Sequence, residues 1–222
     1  MIVLALDTAS TQCAACVYDA EADREMSRIV RPMATGHAAA LSDVIDEALE
    51  SAGKSYRDIG RVASTVGPGS FTGVRIGVAA ARGLALALAI PSVGVDVLDA
   101  LAEPVRKACP GRAVMAALDA RRDEVYAALW NAEGNQVLAS VALTIARARE
   151  IAAGANAILT GSAAPMIRGD DLAVEGVSAS PDIGMVARLA ASADATKPAS
   201  PLYLRKPDAK PQSGQSLPRR TP

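Results

Sequence analysis

The sequence predicts an α/β protein of two lobes, each a mixed sheet flanked by helices. Three observations carry this. Half of the 222 residues are hydrophobic, enough for a substantial core and incompatible with disorder of the whole chain. Short apolar runs alternate with longer stretches whose apolar residues recur three and four apart, the signatures of buried strands and amphipathic helices. The order strand, strand, strand, helix, strand, helix, strand, helix in the first half recurs in the second, in pattern rather than in residue identity.

Ile2 to Leu6 reads as a buried strand ending at Asp7, followed by strands over Ala14 to Tyr18 and Glu25 to Arg31. Thr35 opens a helix to Ser51. Its apolar stripe is Leu41, Val44, Ile45, Ala48, Leu49 and Ala52, and its opposite face carries Asp43, Asp46, Glu47 and Glu50. Gly53 stops it. Arg61 to Val66 is a strand, Gly67-Pro68-Gly69 a turn, and Ser70 starts a long helix to Ala89 that Pro91 ends. Ser92 to Val95 is a strand, and Asp96 begins another helix. In the second half, strands fall at Ala113 to Leu118, Glu124 to Trp130 and Gln136 to Leu143. Thr144 caps a helix to Ala153. Then come a strand over Ala157 to Thr160, a short helix over Ser162 to Arg168, a strand over Leu172 to Val177, and a last helix from Asp182 to Ser192. Two such lobes, spanning 1–108 and 109–200, suggest an actin-like, sugar-kinase-like architecture with a cleft between them. From Pro207 the chain is rich in proline and polar residues and cannot bury a core, so 201–222 reads as a basic tail, disordered beyond 207.

The net charge is −1, with 23 basic and 24 acidic residues. From Ser200 onward five basic residues face one acidic, a charge of +4, and the rest of the chain carries −5. With a body of that sign and six aromatic residues in all, a phosphate-neutralising face or a base-stacking platform is not expected. The apolar run Leu84 to Ile90 is far short of the roughly 20 residues of a membrane span. Asp7 breaks the apolar start, which lacks a basic leader, so no signal peptide and a cytoplasmic protein without membrane contact are expected. Cys13 and Cys16 have the spacing of a zinc or redox pair, yet residues three apart on a strand point to opposite faces, so they read as structural. His37 is the one histidine. This removes most routes to a catalytic triad or a histidine-based metal site, and no metal or catalytic residue is expected.

Four segments carry chemistry. Asp7-Thr8-Ala9-Ser10-Thr11 has the form of a phosphate-holding hairpin, with Ala9 where a glycine would let the backbone approach phosphate. An ordinary polar turn is the alternative. Gly67-Pro68-Gly69-Ser70-Phe71-Thr72-Gly73-Val74-Arg75-Ile76-Gly77 places a glycine turn before a helix N-terminus, which suits an anion or simply a Ser70 cap. It lacks the GK[ST] of a P-loop and the spacing of a dinucleotide fingerprint. The helix that follows is apolar nearly all round. Gly73, Gly77, Ala81 and Ala85 form a smooth groove for a second helix, with Arg75 and Arg82 together on one face. Asp119 and Glu124, in a polar corner ahead of Tyr126, form an acid/base pair or a solvated turn.

Five segments in this order resemble the TsaB family, also called YeaZ: LALDTAS, GPGSFTGVRIGVAAARGLALAL, PSVGV, LDARRDEVYAAL and PLYLR, spread over residues 2 to 206. The resemblance implies an actin-like fold and a non-catalytic paralogue of TsaD. Such a protein supports transfer of threonylcarbamoyl to the adenosine that follows the anticodon in ANN-decoding tRNAs. It implies TsaD, TsaE and a second copy of the chain as partners, with tRNA met only through the complex. No cofactor is expected to bind firmly, with ATP or ADP only at the interface with partners. The metal-holding histidine pair of the catalytic relative is reduced here to His37, with Leu41 where its partner one turn on would stand. Ala38, Ala39 and Asp43 depart from the serine, glutamate and proline that the family often has there.

The candidate anion-binding set is Asp7, Thr8, Ser10, Gly67, Gly69, Ser70 and Thr72. The candidate partner interface is His37, Leu41, Val44, Ile45, Gly73, Arg75, Gly77, Val78, Ala81 and Arg82. The rival readings are an actin-like ATP-dependent small-molecule kinase or acyltransferase, and a plain homodimeric scaffold.

Overall fold

A computed structural model describes residues 1–205, so the expected disorder beyond 207 lies outside the described residues. The first sheet contains β1 (Ile2–Asp7), β2 (Gln12–Asp19), β3 (Arg24–Pro32), β4 (Ile59–Thr65) and β5 (Ser92–Val95), in the order β3-β2-β1-β4-β5. β1 pairs antiparallel with β2 and parallel with β4. Its run IVLALD is continuously apolar up to Asp7 because this central strand is covered on both faces. Side chains alternate between the faces. Leu4, Leu6, Cys13 and Ala15 lie under α1 (His37–Ser51) and α2 (Phe71–Leu88), whereas Val3, Ala5, Ala14 and Cys16 point the other way. The two cysteines are therefore on opposite faces and both buried. Burial pushes the Cys16 thiol up to about 12, which keeps it protonated and inert.

The second sheet holds β6 (Val114–Arg121), β7 (Glu124–Trp130), β8 (Gln136–Thr144) and β9 (Ile158–Thr160), in the order β8-β7-β6-β9. α4 (Ile145–Gly154) and α5 (Ala164–Ile167) cover its outer face through Ala148, Ala152, Ala164 and Ile167. α3 (Val97–Ala108) lies between the two sheets. Its Leu98, Leu101 and Val105 share one core with Val66, Val114, Leu118 and Trp130. Asp96 caps α3 through Leu98 N–H at 2.8 Å and also accepts from Ser140 Oγ on β8, so one carboxylate ties both lobes. Burial holds that carboxyl above the usual range despite the two hydrogen bonds.

Two expectations are corrected. Leu172 to Val177 makes no strand of its own, only a bridge from Val174 to Leu159, and Gly176 turns the backbone away at φ 83°. The last helix, α6 (Ile183–Ser192), does not belong to the second lobe. Ile183, Val186, Ala187 and Ala190 fill the face of the first sheet beside α3, with Ala5, Ala14, Cys16 and Ala63. A span of 109–200 therefore does not describe one packed lobe: the chain crosses back before residue 183. By length and composition α2 also passes as a membrane span, with mean hydropathy 1.4 over its 18 residues. That apolarity reflects a helix whose inner face packs on the chain's own sheet.

Arginines of the first lobe hold both ends of α6. Asp182 caps its N-terminus through Met185 N–H at 3.0 Å and accepts from Arg28 at 2.7 Å. At the other end Arg61 Nη1 donates to the carbonyls of Ala190, Ala191 and Ala193 at 2.5, 3.1 and 3.0 Å. A cation there also complements the helix dipole. Replacing Arg61 by Met should leave those carbonyls short of donors and lower unfolding free energy by about 1–3 kcal/mol in a denaturant titration. Burial pushes the Asp182 carboxyl up, but the Arg28 and backbone donors outweigh it and leave it below its ordinary value. The charged form is therefore favoured by folding. The clamp is fully present above the ordinary carboxylate range and is lost as pH falls below it. Asp182→Asn should flatten the acid limb of a stability–pH profile, and an unchanged limb would remove Asp182 from that role.

Candidate functional site

The cleft between the lobes is a cavity of about 570 Å³. Ser10, Thr11, Gly69 and Ser70 line one wall, from the β1–β2 turn and the start of α2. Asp119, Arg121, Tyr126 and Ser162 line the other. Beneath the first wall, Asp7 is fully buried and saturated by its own chain. Oδ1 accepts from Ala9 N–H at 3.0 Å and Thr65 Oγ1 at 2.7 Å. Oδ2 accepts from Ser10 Oγ at 2.7 Å and Gln12 Nε2 at 2.9 Å. Two donors on each oxygen use the lone pairs that a metal or a substrate proton would need. Asp7 thus organises the turn.

The turn is also pressed against α2. Thr8 Oγ1 donates to Gly73 O at 2.7 Å, and Ser70 N–H donates to Ala9 O at 2.7 Å. A Cβ on Gly69 would collide with the Ala9 carbonyl, and one on Gly73 with the Thr8 carbonyl. One on Gly77 would stand 2.7 Å from Thr8 Oγ1 and Ser64 Oγ. These glycines exist for close approach of the chain to itself. Ser70 caps α2 by accepting from Gly73 N–H at 3.2 Å.

Of the expected anion set, Ser10, Gly69 and Ser70 reach the cleft. Asp7, Thr8 and Gly67 are buried below it, where Gly67 O accepts from Val97 N–H, and Thr72 is exposed outside its lining. Asp119 lines the cleft and caps the β6–β7 turn through Arg121 N–H at 2.7 Å. Glu124 is instead paired with Arg205, so the two carboxyls do not form an acid/base pair. In that turn Arg121, Arg122 and Asp123 all have positive φ, between 57° and 61°.

The expected partner set is redistributed. Leu41, Val44, Ile45 and Ala81 are buried in the core over the first sheet, Val78 in the core around α3, and Gly73 and Gly77 against the β1–β2 turn. His37 is buried in the first turn of α1, with Nε2 unpartnered. At Gly73 and Gly77 the small-residue stripe receives the chain's own β1–β2 turn, because only glycine there leaves room for it. Arg75 and Arg82 stay on the outer face of α2, with Phe71 54% and Leu86 85% exposed. Sequence alone does not join Phe71 and Tyr203 into one surface. They are 132 positions apart in sequence, and only the return of the C-terminal segment brings them together.

Two mixed-sheet lobes around a cleft, joined by a helix between the sheets, define an actin-like protein. A protein of unknown function from Bacteroides thetaiotaomicron with an actin-like ATPase fold superposes on 85% of the chain, at TM-score 0.50 and 12% identity. A family model described as TsaD, tRNA N6-adenosine threonylcarbamoyltransferase, matches residues 31–182. YeaZ from Pseudomonas aeruginosa is 28% identical, with TM-score 0.74 over 91% of this chain and 99% of its own. The TsaB protein of Escherichia coli K12, a tRNA threonylcarbamoyladenosine biosynthesis protein, is 34% identical over 62% of this chain. An uncharacterised protein of Mycobacterium tuberculosis is 33% identical over 94% of both chains. The chain belongs to the TsaD family, in its TsaB/YeaZ branch. The aligned part spans 58% of the Escherichia coli relative and 52% of the Haemophilus influenzae TsaB, little more than half of each.

Gly73→Ala should force the β1–β2 turn off α2, lowering unfolding free energy by about 1–3 kcal/mol or more. Ala79→Val, at an exposed position of the same helix, should change it by no more than about 0.7 kcal/mol, the cost in helix propensity alone, when both variants are followed by thermal melts. Equal effects would show that α2 does not rest on the turn.

Proposed function

We propose that this chain is a non-catalytic subunit of the machinery that adds threonylcarbamoyl to the adenosine following the anticodon of ANN-decoding tRNAs. It would bind and support a TsaD-type catalytic subunit together with TsaE, and self-associate in their absence. The observation that carries the reading is Asp7, whose oxygens are filled by four donors of its own chain at the floor of the cleft. An actin-like enzyme needs a carboxylate there that is free to face a metal or a reacting group. Membership of the TsaB/YeaZ branch supplies the pathway, and the outer faces of α1 and α2 supply the partner surface. ATP or ADP would bind only at an interface with partners, tRNA would be met through the complex, and the protein would act in the cytoplasm.

Reconstitution tests this. The chain alone, with tRNA, ATP and the small-molecule substrates, should give no modified nucleoside by mass spectrometry. Adding it to TsaD and TsaE from the same organism should raise modification at least tenfold over the pair without it. Turnover by the isolated chain would overturn the reading in favour of a small-molecule kinase or acyltransferase working in the cleft.

A further inference from the structure

At the start of α2 the structure holds a guanidinium on the face of one exposed aromatic ring and beside a second. The Arg75 guanidinium carbon lies 3.7 Å from the centroid of Phe71 and 5.6 Å from that of Tyr203, and Arg75 Nε donates to Tyr203 Oη at 2.8 Å. The rings lie 5.5 Å apart, tilted by 38°, and are 54% and 51% exposed. Tyr203 does not arrive there by chance of a loose end. Leu202 N–H donates to Val66 O at 2.8 Å, and the Leu202 side chain packs into the core between the lobes. Two residues on, Arg205 is paired with Glu124 of the second lobe. The segment around Tyr203 is thus pinned on both sides.

Among the described residues no carboxylate pairs with Arg75, and neither α2 nor residues 199–205 contain an Asp or Glu. One edge of the guanidinium is used by Tyr203, which leaves the Nη groups to offer a forked pair of donors. Stacking removes rotamer freedom that Arg would otherwise lose on binding, and the helix N-terminus beside it adds positive potential. Exposed aromatic residues with an arginine are also the composition of energetic centres in protein interfaces. Nucleic acid fits less well. The guanidinium already covers one face of Phe71, and the body of the chain is acidic.

We propose that Phe71, Arg75 and Tyr203 form a composite receptor for one carboxylate side chain, Asp or Glu, on a protein partner, with an apolar neighbour of that residue resting on the two rings. This deepens the proposed function and rests on its reading that the outer face of α2 meets a protein subunit. It adds that the C-terminal segment, and not the helices alone, completes the contact.

The test measures binding of the TsaD-type subunit from the same organism to the full chain by titration calorimetry. Variants Arg75→Ala, Arg75→Lys, Tyr203→Ala and Arg147→Ala, the last on α4 far from this face, are first checked for unchanged melting. A forked charge-assisted contact predicts that Arg75→Ala and Tyr203→Ala each weaken binding about tenfold or more, whereas Arg147→Ala changes it little. Arg75→Lys should not rescue, because a point charge lacks the fork. Weakening of wild-type binding by salt should be smaller for Arg75→Ala. Equal affinity of wild type and Arg75→Ala overturns the receptor and leaves the subunit reading standing. No complex with wild type overturns both. Loss of tRNA binding by Arg75→Ala, with subunit binding intact, overturns it in favour of a nucleic-acid contact.

Discussion

The structure depends on how closely the long second helix lies against the turn between the first two strands. Glycines at 69, 73 and 77 bring helix backbone and turn backbone within reach of one another, where any Cβ at 69 or 73 would collide with a carbonyl. That approach fixes the Thr8 hydroxyl on Gly73 and the Ser70 N–H on Ala9. It also shields Asp7, which then finds its donors within the turn, at the start of β2 and at the end of β4. The same contact decides which side of the helix faces outward. Once the glycine side is committed to the turn, Phe71, Arg75, Arg82 and Leu86 remain for solvent or a partner.

The second determinant is the return of the chain. After the second sheet, α6 crosses back and completes the cover of the first sheet, held by Arg28 at one end and Arg61 at the other. The segment after it then runs from the first lobe towards the β6–β7 turn, through Leu202 on Val66 and Arg205 on Glu124. The apolar core around α3 and the Asp96–Ser140 bond join the same two lobes.

In this actin-like fold the carboxylate at the cleft floor is saturated by its own chain, whereas the head of α2 leaves its chemistry on the outside. Among the described residues its arginine has no carboxylate partner, and the two rings beside it leave more than half of their surface in water, which gains a monomer nothing.

The strand–helix order, the capping by Ser70, Asp96, Thr144 and Asp182, and the opposed cysteines were legible in the sequence, because each follows from local periodicity or from a side chain bonding its own backbone. So was the family, through short segments spread over most of the chain. The direction of the glycine groove was not legible. A stripe of small residues four apart permits close approach on one side but carries no information about what approaches, and the turn that fills it is over sixty residues away. The strand expected at Leu172 to Val177 failed because pairing needs a neighbour along its length, and β9 bonds it only around Val174, from Ala173 to Gly176. The lobe to which α6 belongs, the burial of Leu41, Val44 and Ile45, and the stack of Tyr203 on Arg75 were likewise decided by tertiary structure. In each case the sequence determined which surface is apolar or charged. Which of several complementary surfaces it meets is set by packing between distant segments, where the exclusion of volume leaves room for only one.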